Sequence, residues 1–322
     1  MSKKDYDELL TEELAKRDII VRAENASTMS QDDFKEIRFD GFGASDSSRI
    51  MNVNPFPGGS PQELLQDKID RAHDETIGHK ASVRMGRELE GFIIDKIMNL
   101  TELVIFKPSH MYGKEWNGLN TNFDGVLIED DKFIAAEVKT ISMYGVKYYD
   151  FTKAIPLESD IGEINEDFES ELTNKEVELL YAPDSYRPEM RAIERHIHFN
   201  AERAGIPTYY YTQLQQQIDF LGTDYGYLFA LNTKTWTIHA FKVARDEHTI
   251  NSLNARAKKL YDKLTEARDQ EVFIISGTEV GSYSYDKHKK EYSFFDVKGQ
   301  LIETVESEQE YVYYDLKELF GE

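Results

Sequence analysis

The chain has 322 residues, 40% hydrophobic and 12% aromatic, enough for a sizeable core in one elaborated domain or two, and against general disorder. No apolar run approaches the ~20 residues of a membrane span, the N-terminus lacks a signal-peptide core, and the absence of cysteine removes disulfides and thiolate metal sites, so a cytoplasmic protein with no membrane partner is expected. A net charge of −22 repels polyanions at long range; a nucleic-acid partner would need a local basic surface, or bound cations that reverse the field around clustered carboxylates.

In chain order, residues 5–17 (DYDELLTEELAKR) read as a short amphipathic helix, followed by a polar linker to about Asp33. Ser60-Pro61-Gln62-Glu63 marks a helix start, with Ser as N-cap, Pro in the first turn and Glu completing a capping box. Residues 81–99 form a second helix, on which Leu89, Ile93, Ile94 and Ile97 recur at helical spacing. Two short apolar runs, 125–128 and 133–136, then flank an acidic turn and predict a hairpin.

Residues 146–206 interrupt the pattern with a heavily acidic run, 158–178, and a helix over 188–204. The acidic run is a solvated loop, a DNA-excluding cover, or a surface for a neighbouring subunit. A helix over 207–221 stops at Gly222, strands follow at 226–231 and 235–243, and a charged helix runs from Asp246 to about Gln270. The rest reads as a small aromatic-rich β appendage. The expected division is residues 1–33 (helix and linker), 34–245 (core, with an insertion at about 146–206) and 246–322 (helix and appendage).

The hairpin, NFDGVLIEDDKFIAAEVKT over residues 122–140, holds the chemistry. An acid two residues before a lysine occurs five times in the chain, so Glu137-Val138-Lys139 means little by itself. If Asp130-Asp131 form a two-residue turn, Asp124 lies directly opposite Glu137, with Lys139 as diagonal neighbour on the same face. Two facing carboxylates repel, and a hard divalent cation between them reverses the sign. The lysine would orient or deprotonate an attacking water, or stabilise charge on phosphorus. That is an arrangement for metal-assisted phosphodiester hydrolysis. The plainer alternative is a surface hairpin whose polar ends carry a Glu–Lys pair.

An Asp-Gly strand followed by Glu-x-Lys on its partner resembles the PD-(D/E)XK nucleases, and four blocks in order resemble their YqaJ-type viral recombinase, lambda-exonuclease-like group. RFDGFGASDSSRIM (38–51) is similar to the block in which an Arg and a Ser hold a terminal 5′-phosphate, here Arg38 and Ser45, the serine at a helix start. RMGRELEGFIIDKI (84–97) resembles the G-x-x-x-E helix and implies Glu90 as a metal ligand; Glu88 is a more solvated rival. Glu90 shares the apolar stripe, so a metal, a basic partner near the hairpin or a structural salt bridge must offset its charge. In the hairpin the resemblance makes Asp124 and Glu137 metal ligands, the Val138 carbonyl a further one and Lys139 the catalytic lysine; Asn122 falls at a phosphate-pocket position with a different residue type, and Phe123 replaces the motif's proline. GIPTYYYTQLQQQIDFLGTDYGYLFAL (205–231) resembles the Tyr-x-x-Gln helix, placing Gln213 at the active-site glutamine.

The implied fold is α/β, a central mixed sheet flanked by helices around the catalytic hairpin. The implied function is a Mg²⁺-dependent (or Mn²⁺-dependent) two-metal DNA exonuclease, acting 5′→3′ on linear duplex ends in phage-type recombination. Implied partners are double-stranded DNA ends, a single-strand annealing protein and other copies of the chain, a trimer by resemblance. For DNA contact, Arg187, Arg191 and Arg195 recur every four residues with Arg203 beyond, although Glu189, Glu194 and Glu202 could pair them on a solvated face. An endonuclease on the same core and a non-catalytic DNA-binding protein are the alternatives.

Overall fold

The computed structural model describes residues 3–26, 28–56, 59–73, 81–141, 145–157, 191–269, 274–275, 278–286, 291–296, 298 and 300–306. The expected N-terminal helix is α1 (Lys3–Ala15). The segment expected as a linker is structured: it contains strand β1 (Ile20–Ala23), and helix α2 (Gln31–Phe39) starts inside it, capped by the Ser30 side chain accepting from the Asp33 N–H. Strand β2 (Phe42–Gly43), a 3-10 turn (Ala44–Asp46) and the short helix α3 (Ser47–Ile50) follow. Helix α4 (Pro61–Ile69) has the predicted capping box, in which Ser60 and Glu63 satisfy each other's backbone N–H groups. Strand β3 (Ala72–His73) leads to helix α5 (Ala81–Thr101).

Strands β4 (Val104–Phe106), β5 (Met111–Lys114), β6 (Leu119–Thr121), β7 (Gly125–Glu129) and β8 (Lys132–Ile141) come next, and after two 3-10 turns strand β9 (Ile155–Leu157). The acidic run 158–178 lies outside the described residues. Helix α6 (Ala192–Ala204) and helix α7 (Thr208–Leu221) are followed by strands β10 (Tyr225–Asn232) and β11 (Thr237–Ala244) and helix α8 (Glu247–Asp269). Helix α7 ends where foreseen, because Gly222 takes φ +68°, a left-handed conformation that glycine adopts at the least cost. The C-terminal β character is present as β12 (Ile274–Ile275), β13 (Thr278–Asp286), β14 (Glu291–Asp296) and β15 (Leu301–Glu306).

The chain forms two compact units. The first takes residues 1–84, 109–122 and 250–322. It holds a sheet ordered β1-β5-β6-β2 and a second ordered β12-β13-β14-β15, with β3 on β13. The part of α8 in this unit is fastened to the N-terminal segments. Asn117 donates to Asn254 at 2.7 Å, and buried Arg256 donates to the Met51 carbonyl at 3.2 Å. Gly118, at φ +68°, lies so close to Tyr261 that an added Cβ would be 2.2 Å from the ring.

The second unit takes residues 85–108 and 123–249 and is built on a mixed sheet ordered β4-β7-β8-β10-β11-β9. The pairing β8–β10 is parallel, which needs a crossover, and α6 and α7 lie in it. Side chains alternate along β8. Ile134, Ala136 and Val138 pack with Ile93, Ile94 and Ile97 of α5 on one face. Leu214 and Ile218 of α7 cover the other, pressed so closely on Gly226 that a Cβ there would meet both at 3.0 Å. This is the expected mixed sheet between helices, with the hairpin at its centre. Among the described residues no helix is long and apolar enough to cross a membrane.

Candidate active site

The hairpin turns at Asp130 and Asp131, both at positive φ (50° and 59°), as a two-residue turn matching strand twist requires. The register is the expected one: Gly125 pairs with Ala136 and Glu129 with Lys132, so Asp124 enters opposite Glu137. Phe123, where the motif has proline, is fully buried. The Asp124 carboxylate accepts from the Val138 N–H and from Lys139 Nζ, each at 3.2 Å. Lys139 is also ion-paired with Glu137. Strand alternation sends Glu137 and Lys139 to the α7 face, where Gln213 donates to Glu137 Oε1 and Gln217 Nε2 donates to Oε2 at 2.6 Å. The Tyr210 ring lies 5.5 Å from Lys139 Nζ.

Glu137 is 0% exposed, and that sets the electrostatics. Burial first, and then the Asp124 charge, push its carboxyl up to about 7 against the pull of Lys139 and Gln217. Burial alone would lower the Lys139 pKa, but the Asp124 and Glu137 carboxylates outweigh it and hold the ammonium above its ordinary value. The site is therefore short of positive charge even with its lysine in place.

Glu90 meets a basic partner, Lys107, just beyond β4. Since Phe106 pairs with Val126, this lysine stands at the strand end beside Gly125 and Asp124 in the ladder. Among the described residues no group of three or more His, Asp or Glu is gathered so as to hold a metal ion. The donors that are gathered, two hard carboxylates facing each other, fit Mg²⁺ or Mn²⁺, which takes one or two carboxylates and completes its shell with water and phosphate. They do not form a three-carboxylate cage.

In the first unit, Arg38 at the end of α2 donates to Ser45 Oγ at 3.2 Å, and both side chains are exposed. Ser45 lies in the 3-10 turn, not at the first residue of a longer helix. Behind them Asp46 accepts from the Gly43 N–H and pairs with buried Lys68, both at 3.0 Å, while Lys68 also donates to the Arg38 carbonyl at 2.6 Å. Burial would raise the Asp46 carboxyl, but Lys68, Arg38 and Arg49 bring it down to about 2. Asn122, half-buried, follows β6.

Of the arginines expected to touch DNA, Arg187 lies outside the described residues. Arg191 precedes the first turn of α6 as its N-cap, and its backbone N–H donates to Glu194 at 3.1 Å. Arg195 and Arg203 are exposed on the helix, and Arg203 lies 5.8 Å over the exposed Phe199 ring.

Sequence reasoning assigned no role to Gln217, Lys107 or Asp246. Gln217 sits one turn after Gln213, a spacing that was visible. Lys107 carries no local signal. Asp246 caps α8 and gathers His196 Nε2 (2.8 Å), Asn200 (3.0 Å), the Tyr211 hydroxyl (2.9 Å) and the Thr249 hydroxyl (2.6 Å).

The sequence matches the family described as YqaJ-like viral recombinase domain over residues 33–224. Among solved structures, the chain is similar to LHK-Exo in complex with dAMP, at 13% identity over 74% of this chain and 95% of that one, with a TM-score of 0.45. The alkaline exonuclease LHK-Exo from Laribacter hongkongensis matches over the same shares at 11% identity and a TM-score of 0.42. SSO0001 matches at 11% identity over 82% of this chain and 87% of that one, with a TM-score of 0.30. No curated protein matches the chain.

Proposed function

The chain belongs to the YqaJ-like viral recombinase domain family, and from that membership we propose that it is a divalent-metal-dependent DNA exonuclease resecting linear duplex ends 5′→3′ for recombination. The observation that carries the reading is the meeting of Asp124, Glu137 and Lys139 across one hairpin, with Gln213 brought in by a separate helix.

Asp124 and Glu137 would hold Mg²⁺ or Mn²⁺, with the Val138 carbonyl beside them and Glu90 as the further carboxylate that the family resemblance assigns. The cation supplies Lewis acidity toward the phosphate and lowers the pKa of a bound water. Gln213 holds Glu137 in place. Lys139 positions the attacking water or steadies charge on the phosphate. Arg38 and Ser45, already joined, offer a guanidinium and a hydroxyl to a terminal phosphate, with Asn122 as a further polar group. Arg191 and Arg195, with Arg187, would contact the duplex backbone. A single-strand annealing protein and other copies of the chain, up to a trimer, are the partners this reading implies, in the cytoplasm of a host cell.

The test is digestion of end-labelled linear duplex with and without Mg²⁺ and with 5′-phosphate or 5′-hydroxyl ends, beside a covalently closed circle. The expected result is Mg²⁺-dependent loss of the 5′-phosphorylated strand, with the circle intact. Cleavage of the circle would make the protein an endonuclease; no degradation of any substrate would reject the enzyme.

A further inference from the structure

Glu137 accepts hydrogen bonds from two glutamines of α7, and only the first has been given a role. Gln217 is 1% exposed, and its Nε2 donates to Glu137 Oε2 at 2.6 Å. Its own Oε1 is buried without a hydrogen-bond partner among the described residues. An unsatisfied buried acceptor costs about 1–3 kcal/mol, so this amide is a poor choice for packing alone. Its helix neighbours along the sheet are Leu214 and Ile218, and a methionine would fill the same space with no orphaned oxygen. Turning the amide over would not help, because Oε1 would then face the carboxylate, acceptor against acceptor. The Glu137 charge thus fixes the amide, and the amide fixes the carboxylate in return.

We propose that Gln217 is a positioning residue for the divalent cation. With Gln213 on Oε1 and Gln217 on Oε2, both donors come from one helix and the carboxylate plane of Glu137 does not rotate. Glu137 then presents its oxygens in one fixed direction toward Asp124. The inference rests on the reading of Asp124 and Glu137 as cation ligands.

The test is titration of the full-length protein with Mn²⁺ alone, no DNA, following free Mn²⁺ by electron paramagnetic resonance, with thermal melting of each variant alongside. Loss of an outer-shell partner typically weakens metal affinity about 10–100-fold, and that rise in half-saturating Mn²⁺ is expected for Gln217→Met, with its melting temperature lowered because buried Glu137 Oε2 loses this donor. Gln215→Met is the control, because Gln215 is equally buried but bonds the Ala244 carbonyl and the Asp246 N–H instead. It should lower the melting temperature and leave Mn²⁺ uptake unchanged. Equal Mn²⁺ titrations for wild type and Gln217→Met overturn the proposal. Should Gln217→Met fail to fold, Gln217→Asn replaces it: wild-type Mn²⁺ affinity in that shortened amide overturns the proposal, and weakened affinity supports it. A wild-type chain that takes up no Mn²⁺ rejects the metal site itself, which is a separate failure.

Discussion

The Asp124 carboxylate accepts from the Val138 backbone N–H at 3.2 Å, so the side chain proposed as a cation ligand also ties its strand entry to β8. The two tasks separate under substitution. Asp124→Asn keeps an oxygen for the Val138 N–H and loses the charge. It should unfold in urea within about 1 kcal/mol of wild type. Its Mg²⁺-dependent digestion should fall by more than about 100-fold, beyond what an outer-shell partner contributes. A wild-type rate would remove Asp124 from the site.

Lys139→Met should destabilise the metal-free chain by less than the roughly 3–5 kcal/mol of an uncompensated buried charge, because Glu137, already pushed up to about 7, takes up a proton when its ammonium partner is removed. Added Mg²⁺ should then raise the melting temperature more in this variant than in wild type, since no ammonium competes for the two carboxylates. Equal metal-induced shifts would argue against that competition.

Lys107 and Glu90 supply a paired test. If the Glu90 carboxylate contributes to the cation site, Lys107→Met releases it and should tighten Mn²⁺ binding, whereas Glu90→Gln should weaken it. Calorimetric titration distinguishes this from an ion pair of structural value alone, for which both variants lose stability and neither changes Mn²⁺ affinity.

Arg38→Ala should abolish the preference for 5′-phosphorylated over 5′-hydroxyl ends, with the rate on hydroxyl ends changed little. A charge-assisted hydrogen bond contributes about 1.5–3 kcal/mol, so the ratio of the two rates should fall roughly 10- to 100-fold. A preserved ratio would place phosphate recognition elsewhere.

Asp246 predicts an acid limb of stability. Burial would raise its pKa, but the Thr249 hydroxyl and N–H, the Tyr211 hydroxyl and His196 lower it from 3.8 to about 2. A carboxyl depressed in the folded state stabilises fully above its unfolded value and loses that contribution as pH falls through the folded one. The melting temperature of wild type should therefore exceed that of Asp246→Asn at pH 5, and the gap should close between about pH 4 and pH 2. A gap independent of pH would show that the hydrogen bonds of Asp246 stabilise the fold without its charge.

What the sequence made legible was what local chemistry controls. The Ser60–Glu63 capping box, the Gly222 stop and the Asp130-Asp131 turn each occupy a few adjacent residues, and each appeared where expected. The turn mattered most, since strand alternation carries its register to Glu137 and Lys139. Strand β1 was missed because four residues, IVRA, are too short to show alternation, and their partners in β5 lie far along the chain, Ile20 pairing with Gly113 and Ala23 with Met111. The Glu90–Lys107 pair was foreseen as a basic partner or salt bridge for Glu90 without Lys107 being named, because nothing in the sequence says which lysine a helix will face. Gln217 was visible one turn from Gln213, yet only the packing of α7 shows that both amides meet one carboxylate.

Helix α8 limits how far the chain can be shortened. A version trimmed to the family-matched stretch, residues 33–224, would keep every proposed catalytic group and still lose β10, the parallel neighbour of β8, together with β11. It would also lose Asp246, which gathers α6 and α7, and the partners of Asn117, Gly118 and Met51. Such a fragment, expressed by itself, should be insoluble. The residues proposed to recognise and cut are not the residues that make the protein a folded body, and a minimal nuclease cut from this chain must retain α8.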